Sequence, residues 1–194
     1  MNNTFEKVCI VGLGLIGGSI GLAIKRSNIS NQITGYARSN STLERAIELG
    51  LVDSVKDNLK DAVNNSDLVI LATPLSTFRE LVEEMSPFLK KGCIITDTGS
   101  AKLTVIEDLK DILPNGVEFV PGHPIAGTEE SGPDAGFAEL FDNRWCILTP
   151  TEDNSSNAVD LVKGFWESIG SKVEIMDPMH HDKVLAITSH IPHL

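Results

Sequence analysis

The sequence predicts an α/β domain of the Rossmann type, a doubly wound and mostly parallel sheet with helices on both faces. Three observations carry this. Short apolar, strand-like runs alternate with helical stretches along most of the chain. A glycine-rich segment, Gly12-Leu13-Gly14-Leu15-Ile16-Gly17, follows the first such run and opens the first helix. The run at 67–73 (DLVILAT) is almost wholly apolar, as a parallel strand covered on both faces must be.

Taken in order, residues 7–11 (KVCIV) form an apolar run before the glycines and read as a buried strand. Residues 16–27 read as a helix and 32–37 as the second strand. At 41–49, Leu43, Ala46, Ile47 and Leu49 are spaced for one helical face, and Gly50 ends the helix. The strand at 67–73 is stopped by Pro74. A helix over 77–85 follows, with Pro87 beyond it. Residues 92–97 (GCIITD) read as a strand, 102–113 as a helix and 117–120 as a strand. Residues 145–149, 156–169 and 172–176 repeat strand, helix, strand. Right-handed crossovers then place the helices on both faces. The polar stretch 152–157 (EDNSSN) reads as a surface loop, and there is no internal repeat. From Met179 another helical segment begins, and the chain stops at Leu194 inside an apolar run. The expected organisation is a dinucleotide-binding domain over 1–178. Residues 179–194 would be the first segment of a helical second domain whose remainder is missing.

A chain of 194 residues buries about 70% of its unfolded surface, enough for one good core. With 16 Lys+Arg against 27 Asp+Glu the net charge is −11. That argues against nucleic acid or an anionic membrane as the main partner, because phosphate contacts need Lys and Arg in quantity. A small anionic ligand needs only a local positive pocket. The longest uncharged run, 8–24, is shorter than the ~20 residues of a membrane span. It is also interrupted by Gly12, Gly14, Gly17, Gly18 and Gly21. No small-residue cleavage site follows it, so a signal peptide is not indicated. Cys9, Cys93 and Cys146 each lie in an apolar run, with no CxxC. They read as small buried thiols of a reduced, cytoplasmic protein.

The glycine segment matches G-x-G-x-x-G. Gly12 permits a tight turn, Gly14 lets backbone approach a pyrophosphate, and Gly17 lets the helix pack close to the strand. Backbone N–H groups of Leu15 and Ile16 at the helix N-terminus, with the positive end of the dipole, then face the phosphates. Thr73 and Pro74, and Thr98 and Gly99, follow later strand ends and complete the expected cofactor wall. An NAD site usually carries Asp or Glu at the end of the second strand for the ribose 2′-OH. Here Tyr36-Ala37-Arg38-Ser39 has no acid. Arg38 and the Ser39 hydroxyl could instead hold a 2′-phosphate, which points to NADP over NAD. The alternative is that Arg38 is a solvated surface charge.

Two further segments follow strand ends: Asp97-Thr98-Gly99-Ser100-Ala101-Lys102, and Gly122 to Glu129 (GHPIAGTE). His123, held between Gly122 and Pro124 with little side-chain cover around it, suits a general base, its ordinary pKa being near 6.5. It could equally be bonded to nearby backbone. Ser100 could orient a substrate or the nicotinamide, or cap the helix that begins near Lys102. Four of the five histidines fall after residue 179: His180, His181, His190 and His193. No His-x-x-x-His pair with a carboxylate partner stands out there, so a substrate pocket is favoured over a metal and no metal site is assigned.

Together GLGLIGGS (12–19), DTGSAK (97–102), GHPIAGTEESG (122–132), FDNRWCILTP (141–150) and SHIPHL (189–194) resemble the nucleotide-binding domain of the prephenate/arogenate dehydrogenases. The likeness is nearest to the cyclohexadienyl dehydrogenases of proteobacteria, and it covers essentially the whole chain. It implies an enzyme of tyrosine biosynthesis. Such an enzyme oxidises the ring C4 hydroxyl of prephenate or arogenate, passes hydride to NAD or NADP, and loses the ring carboxylate as CO2. By this resemblance His123 accepts the hydroxyl proton and Ser100 bonds the hydroxyl or the nicotinamide side. Thr128 lines the substrate site, and His193, with His190 nearby, shapes its far end. Family members continue into a helical domain that forms a homodimer and supplies a substrate-binding arginine. The chain alone is therefore expected to bind cofactor but turn over poorly. Two other readings fit the glycine loop: a 3-hydroxyacid dehydrogenase, which would need a catalytic lysine, and a non-catalytic dinucleotide sensor, which would need no base.

Overall fold

In a computed structural model, residues 5–190 are described. The chain runs β1 (Phe5–Val11), α1 (Leu15–Ser27), β2 (Ser30–Tyr36), α2 (Asn40–Glu48), β3 (Ser54–Lys56), α3 (Leu59–Val63), β4 (Leu68–Leu71), α4 (Phe78–Met85), β5 (Ile94–Asp97), α5 (Leu103–Leu109), β6 (Glu118–Phe119), β7 (Gly122–Pro124), β8 (Trp145–Leu148), α6 (Ser156–Ser168), β9 (Lys172–Ile175) and α7 (Pro178–His190).

Six strands form one sheet in the order β3-β2-β1-β4-β5-β6, every neighbouring pair parallel. The order reverses direction between β1 and β4, so a crevice opens at their carboxyl ends. Strand alternation explains the two apolar layers. Val8, Ile10, Leu68 and Ile70 face one way and pack with Ile20, Ala23 and Ile24 of α1 and Val162, Phe165 and Trp166 of α6. Their alternates Cys9, Val11, Val69 and Leu71 face the other way and pack with Leu59, Phe78, Leu81, Val82 and Leu109. A period of two on a strand buried on both faces serves two cores at once.

The structure departs from the expected pattern in several places. β3 and α3 are short elements in a stretch, 54–63, for which the sequence predicts none. The helix expected over 102–113 ends at Leu109, because Ile112 N turns back onto Leu109 O. The strands after residue 121 do not extend the main sheet. They make a second, three-stranded sheet in the order β7-β8-β9. β7 runs antiparallel to β8, whereas β8 and β9 are parallel. Gly122 at the start of β7 is hydrogen-bonded to Asp97 at the carboxyl end of β5, which places His123 next to that end of the main sheet. Among the described residues no helix is long and apolar enough to cross a membrane.

Candidate active site

The glycine loop is built as the residue types require. Gly12 has φ +102°, and a Cβ there would stand 2.6 Å from Ala72 O. A Cβ on Gly17 would lie far inside contact distance of the Gly12 carbonyl oxygen, so only hydrogen lets α1 approach β1 this closely. Gly14 is different. It is the N-cap of α1, and nothing lies within 4 Å of where its Cβ would be. The first turn of α1 holds no acidic residue and no side chain caps it. Its free N–H groups and an open approach therefore meet at one point, the requirement for holding a phosphate.

Beside this loop a cavity of about 210 Å³ is lined by Gly12, Tyr36, Ala37, Arg38, Thr73 and Thr77, with Glu80 and Glu84 of α4 opposite. Arg38 is exposed and has no hydrogen-bond or ion-pair partner among the described residues. Ser39 is already engaged, since its Oγ accepts from Thr42 N at 3.1 Å as the N-cap of α2 and lies 2.9 Å from Thr42 Oγ1. Thr98 N donates to Leu71 O. Gly99 N donates to Asp97 Oδ2 at 2.8 Å.

Asp97 and Lys102, both fully buried, tie the crevice together. Lys102 Nζ lies 2.5 Å from Asp97 Oδ2 and 2.7 Å from Gly122 O. Asp97 Oδ1 accepts from Gly122 N at 3.0 Å. The pair thus fastens the end of β5 and the Gly99 turn to the residue before His123, and its hydrogen bonds offset the cost of burying two charges. Lys102 has no exposed surface, so it cannot serve as the substrate-facing lysine of a 3-hydroxyacid dehydrogenase.

His123 is half-buried. Its Nδ1 lies 3.0 Å from His181 Nε2, and Nε2 has no partner among the described residues. Burial first, then the Lys102 cation, pushes its pKa down to about 4. His123 is therefore neutral at pH 7 and able to accept a proton. His181, fully buried, is 2.7 Å from Asp182 Oδ1 through Nδ1. Burial pushes the Asp182 carboxyl up, but hydrogen bonds from Leu103 N, His181 and Lys102 N bring it below the usual carboxylate value. Ser100 does not cap α5. Asp182 does so from α7, accepting from Lys102 N at 2.9 Å and Leu103 N at 3.0 Å. Ser100 is left exposed with its hydroxyl unbonded among the described residues.

Thr128 is also exposed. Its Oγ1 accepts from Glu130 N, and it lines a surface cavity of about 420 Å³ with Ile125, Phe137 and Arg144. No described contact joins it to His123. His193 lies outside the described residues. His190 closes α7, and its side chain is likewise outside the description. The three cysteines are free and buried. Burial pushes Cys9 and Cys93 up to about 12 and raises Cys146 as well, so none is a nucleophile. Among the described residues no group of three His, Cys, Asp or Glu could hold a metal ion.

The sequence reading missed Asp97, Lys102, His181 and Asp182 as site residues. One signal was available. Asp177-Pro178 is an N-cap followed by proline at the first helical position; Asp177 Oδ1 accepts from His180 N, and the next turn carries His181 and Asp182.

Comparison with known proteins identifies a family. Residues 20–175 match the model described as prephenate dehydrogenase, nucleotide-binding domain. Over 190 residues, 98% of the chain, the sequence is 45% identical to a cyclohexadienyl dehydrogenase of Zymomonas mobilis and covers 64% of it. It is 35% identical to a prephenate dehydrogenase of Bacillus subtilis over 100% of the chain and 53% of that protein. The crystal structure of prephenate dehydrogenase from A. aeolicus with hydroxyphenyl propionate and NAD+ superposes with a TM-score of 0.89 at 38% identity. The match covers 97% of this chain and 65% of that one. The chain thus spans between half and two thirds of the length of these relatives.

Proposed function

The chain belongs to the prephenate dehydrogenase family, and from that premise we propose that it carries the cofactor site and general base of an NAD(P)-dependent oxidative decarboxylation of prephenate or arogenate. The observation that carries this reading is His123. It is a neutral imidazole with a bare Nε2, pinned to the carboxyl end of the sheet through Gly122 and Asp97.

The residues fit a dinucleotide. The open space at Gly14 and the uncapped first turn of α1 suit a pyrophosphate. The 210 Å³ cavity between Tyr36 and Thr77 suits the ribose end. When bound, the nicotinamide supplies the hydride acceptor. His123 Nε2 takes the C4 hydroxyl proton, and the released O–H electron pair forms the carbonyl as hydride leaves C4. Loss of the ring carboxylate as CO2 returns its bonding pair to the ring. The resulting phenolate recovers its proton from His123. Aromatisation drives the sequence, so the protein's task is placement and exclusion of water. Ser100, unbonded at the end of β5, is available to the hydroxyl or the nicotinamide. Thr128 and the histidines of the last segment, His190 and His193, would bound the substrate.

Arg38 is the cation of the ribose-end cavity and supports NADP. Glu80 and Glu84 in the same wall oppose a 2′-phosphate and limit the preference. In the complete enzyme the helical domain would begin after residue 178, within α7, and the assembly would be a cytoplasmic homodimer. The test is a paired fluorescence titration with NADPH and NADH, followed by prephenate-dependent cofactor reduction in the complete enzyme. The expected result is saturable binding with NADPH ahead. His123→Asn should lower turnover about 10²-fold or more with cofactor affinity unchanged. A complete enzyme that binds cofactor yet oxidises neither prephenate nor arogenate would refute the proposal.

A further inference from the structure

We infer that His181 and Asp182 are positioning residues for His123: they hold its proton on Nδ1 and so keep Nε2 bare and turned to the substrate side. This rests on the reading of His123 as the base. The argument follows the donors. A carboxylate only accepts, so the 2.7 Å contact requires a proton on His181 Nδ1. A neutral His181 then carries a lone pair on Nε2 and must accept. The hydrogen in the 3.0 Å contact between the rings therefore belongs to His123 Nδ1, and its Nε2 is unprotonated.

His181 is fully buried, and the Asp182 carboxylate beside its Nδ1 is held in place by also accepting the backbone N–H groups of Lys102 and Leu103. A neutral His181, with its lone pair on Nε2, is part of the expected pattern and is read in the same spectrum as His123. The rings meet edge to face at 5.2 Å between centroids, so His181 also blocks rotation of His123. When His123 takes a proton on Nε2, its Nδ1–H bond to His181 becomes charge-assisted. The Asp182 carboxylate balances the new charge one residue further on. Because Asp182 caps α5 as well, the same residue sets the position of the segment that carries Ser100.

The experiment is a long-range 1H–15N correlation spectrum of the imidazoles of the 15N-histidine-labelled chain at neutral pH, with His123 assigned by its loss in His123→Gln. The expected pattern is a protonated Nδ1 and a bare Nε2 on His123. A proton on Nε2 in the unmodified chain would overturn the inference. Two variants separate positioning from packing. His181→Gln keeps an acceptor for Nδ1–H and should keep the tautomer. His181→Leu removes the acceptor and should shift the His123 proton towards Nε2. An unchanged tautomer in a folded His181→Leu also overturns the inference; should that variant not fold, the unmodified chain and His181→Gln still decide. In the complete enzyme His181→Leu should lower kcat by at least ~10-fold with little change in KM, and His181→Gln should recover part of it. If His123→Asn leaves turnover intact, the base reading fails while the tautomer result stands by itself.

Discussion

Replacing Gly14 and Gly17 in turn by alanine separates the binding role of the glycine loop from its packing role. At Gly17 the new methyl would meet the Gly12 carbonyl oxygen more than an ångström inside the 3.0 Å below which real Cβ atoms are essentially never found. The obstacle is backbone, and that backbone is itself held. Gly12 N donates to Tyr36 O, and the Gly12 turn abuts Ala72. Helix α1 must therefore move off β1. Overpacking of this kind costs about 3 kcal/mol, and the better helix propensity of alanine returns about 1. The net loss of about 2 kcal/mol lowers Tm by roughly 4–8 °C for a chain of this size. At Gly14 nothing lies within 4 Å, and φ is −81°. The only structural cost is alanine at an N-cap, at most about 1 kcal/mol. Yet the methyl occupies the space left for the pyrophosphate, so NADH and NADPH affinity should fall by about 10-fold or more, the equivalent of one lost 1.4 kcal/mol contact. Thermal melts and fluorescence titrations on both variants give the comparison. Unchanged cofactor affinity in Gly14→Ala would refute the assignment of that open space to the dinucleotide.

Four further outcomes are expected. Lys102→Met leaves the buried Asp97 carboxylate uncompensated and should cost about 3–5 kcal/mol, read by denaturant titration; a loss below 1 kcal/mol would mean that the pair is not buried as described. The folded pKa of His123, about 4, lies below its unfolded value, so the unfolded state binds more protons between about pH 4 and 6.5 and stability should fall as pH falls through that window. Melting curves across it should flatten in His123→Asn, and an unchanged slope would contradict the depressed pKa. Arg38→Ala should erase the NADPH preference, whereas Glu80→Gln should widen it about 5-fold by removing roughly 1 kcal/mol of repulsion; paired titrations check both. For kcat/KM of the complete enzyme, protonation of His123 itself should place the acidic fall near pH 4, and a fall at pH 6.5 would indicate an ordinary, solvated histidine.

Much of the fold was legible because its signals are local. The runs at 7–11, 67–73 and 92–97 needed only apolar continuity to be read as buried strands, and β1, β4 and β5 stand there. The short β3 and α3 escaped because elements of three and five residues carry too few positions to show a period. β7 escaped for another reason. Gly-His-Pro has no strand pattern, and its partner, β8, lies beyond a long intervening loop. The three glycines of the loop were separable in advance, since each role follows from what a Cβ would do. Ser39 and Ser100 were not. Each type suits both a cap and a ligand contact, and only the positions of Thr42 and Asp182 show that Ser39 caps a helix and Ser100 does not.

By itself the sequence determined the parallel α/β class, the glycine loop with its three roles, the buried thiols and His123 as the base candidate. All of these depend on residue type and near neighbours. Only the tertiary structure decided what stands behind His123. Its contact with His181 spans 58 residues, and the Asp182 cap on α5 spans 80. Between His123 and His181 lie β8, α6 and β9, whose local patterns carry no information on which side chains will meet. Pairwise geometry at that separation is set by the packing of whole layers, and so the surroundings of His123 become readable only once the chain has folded.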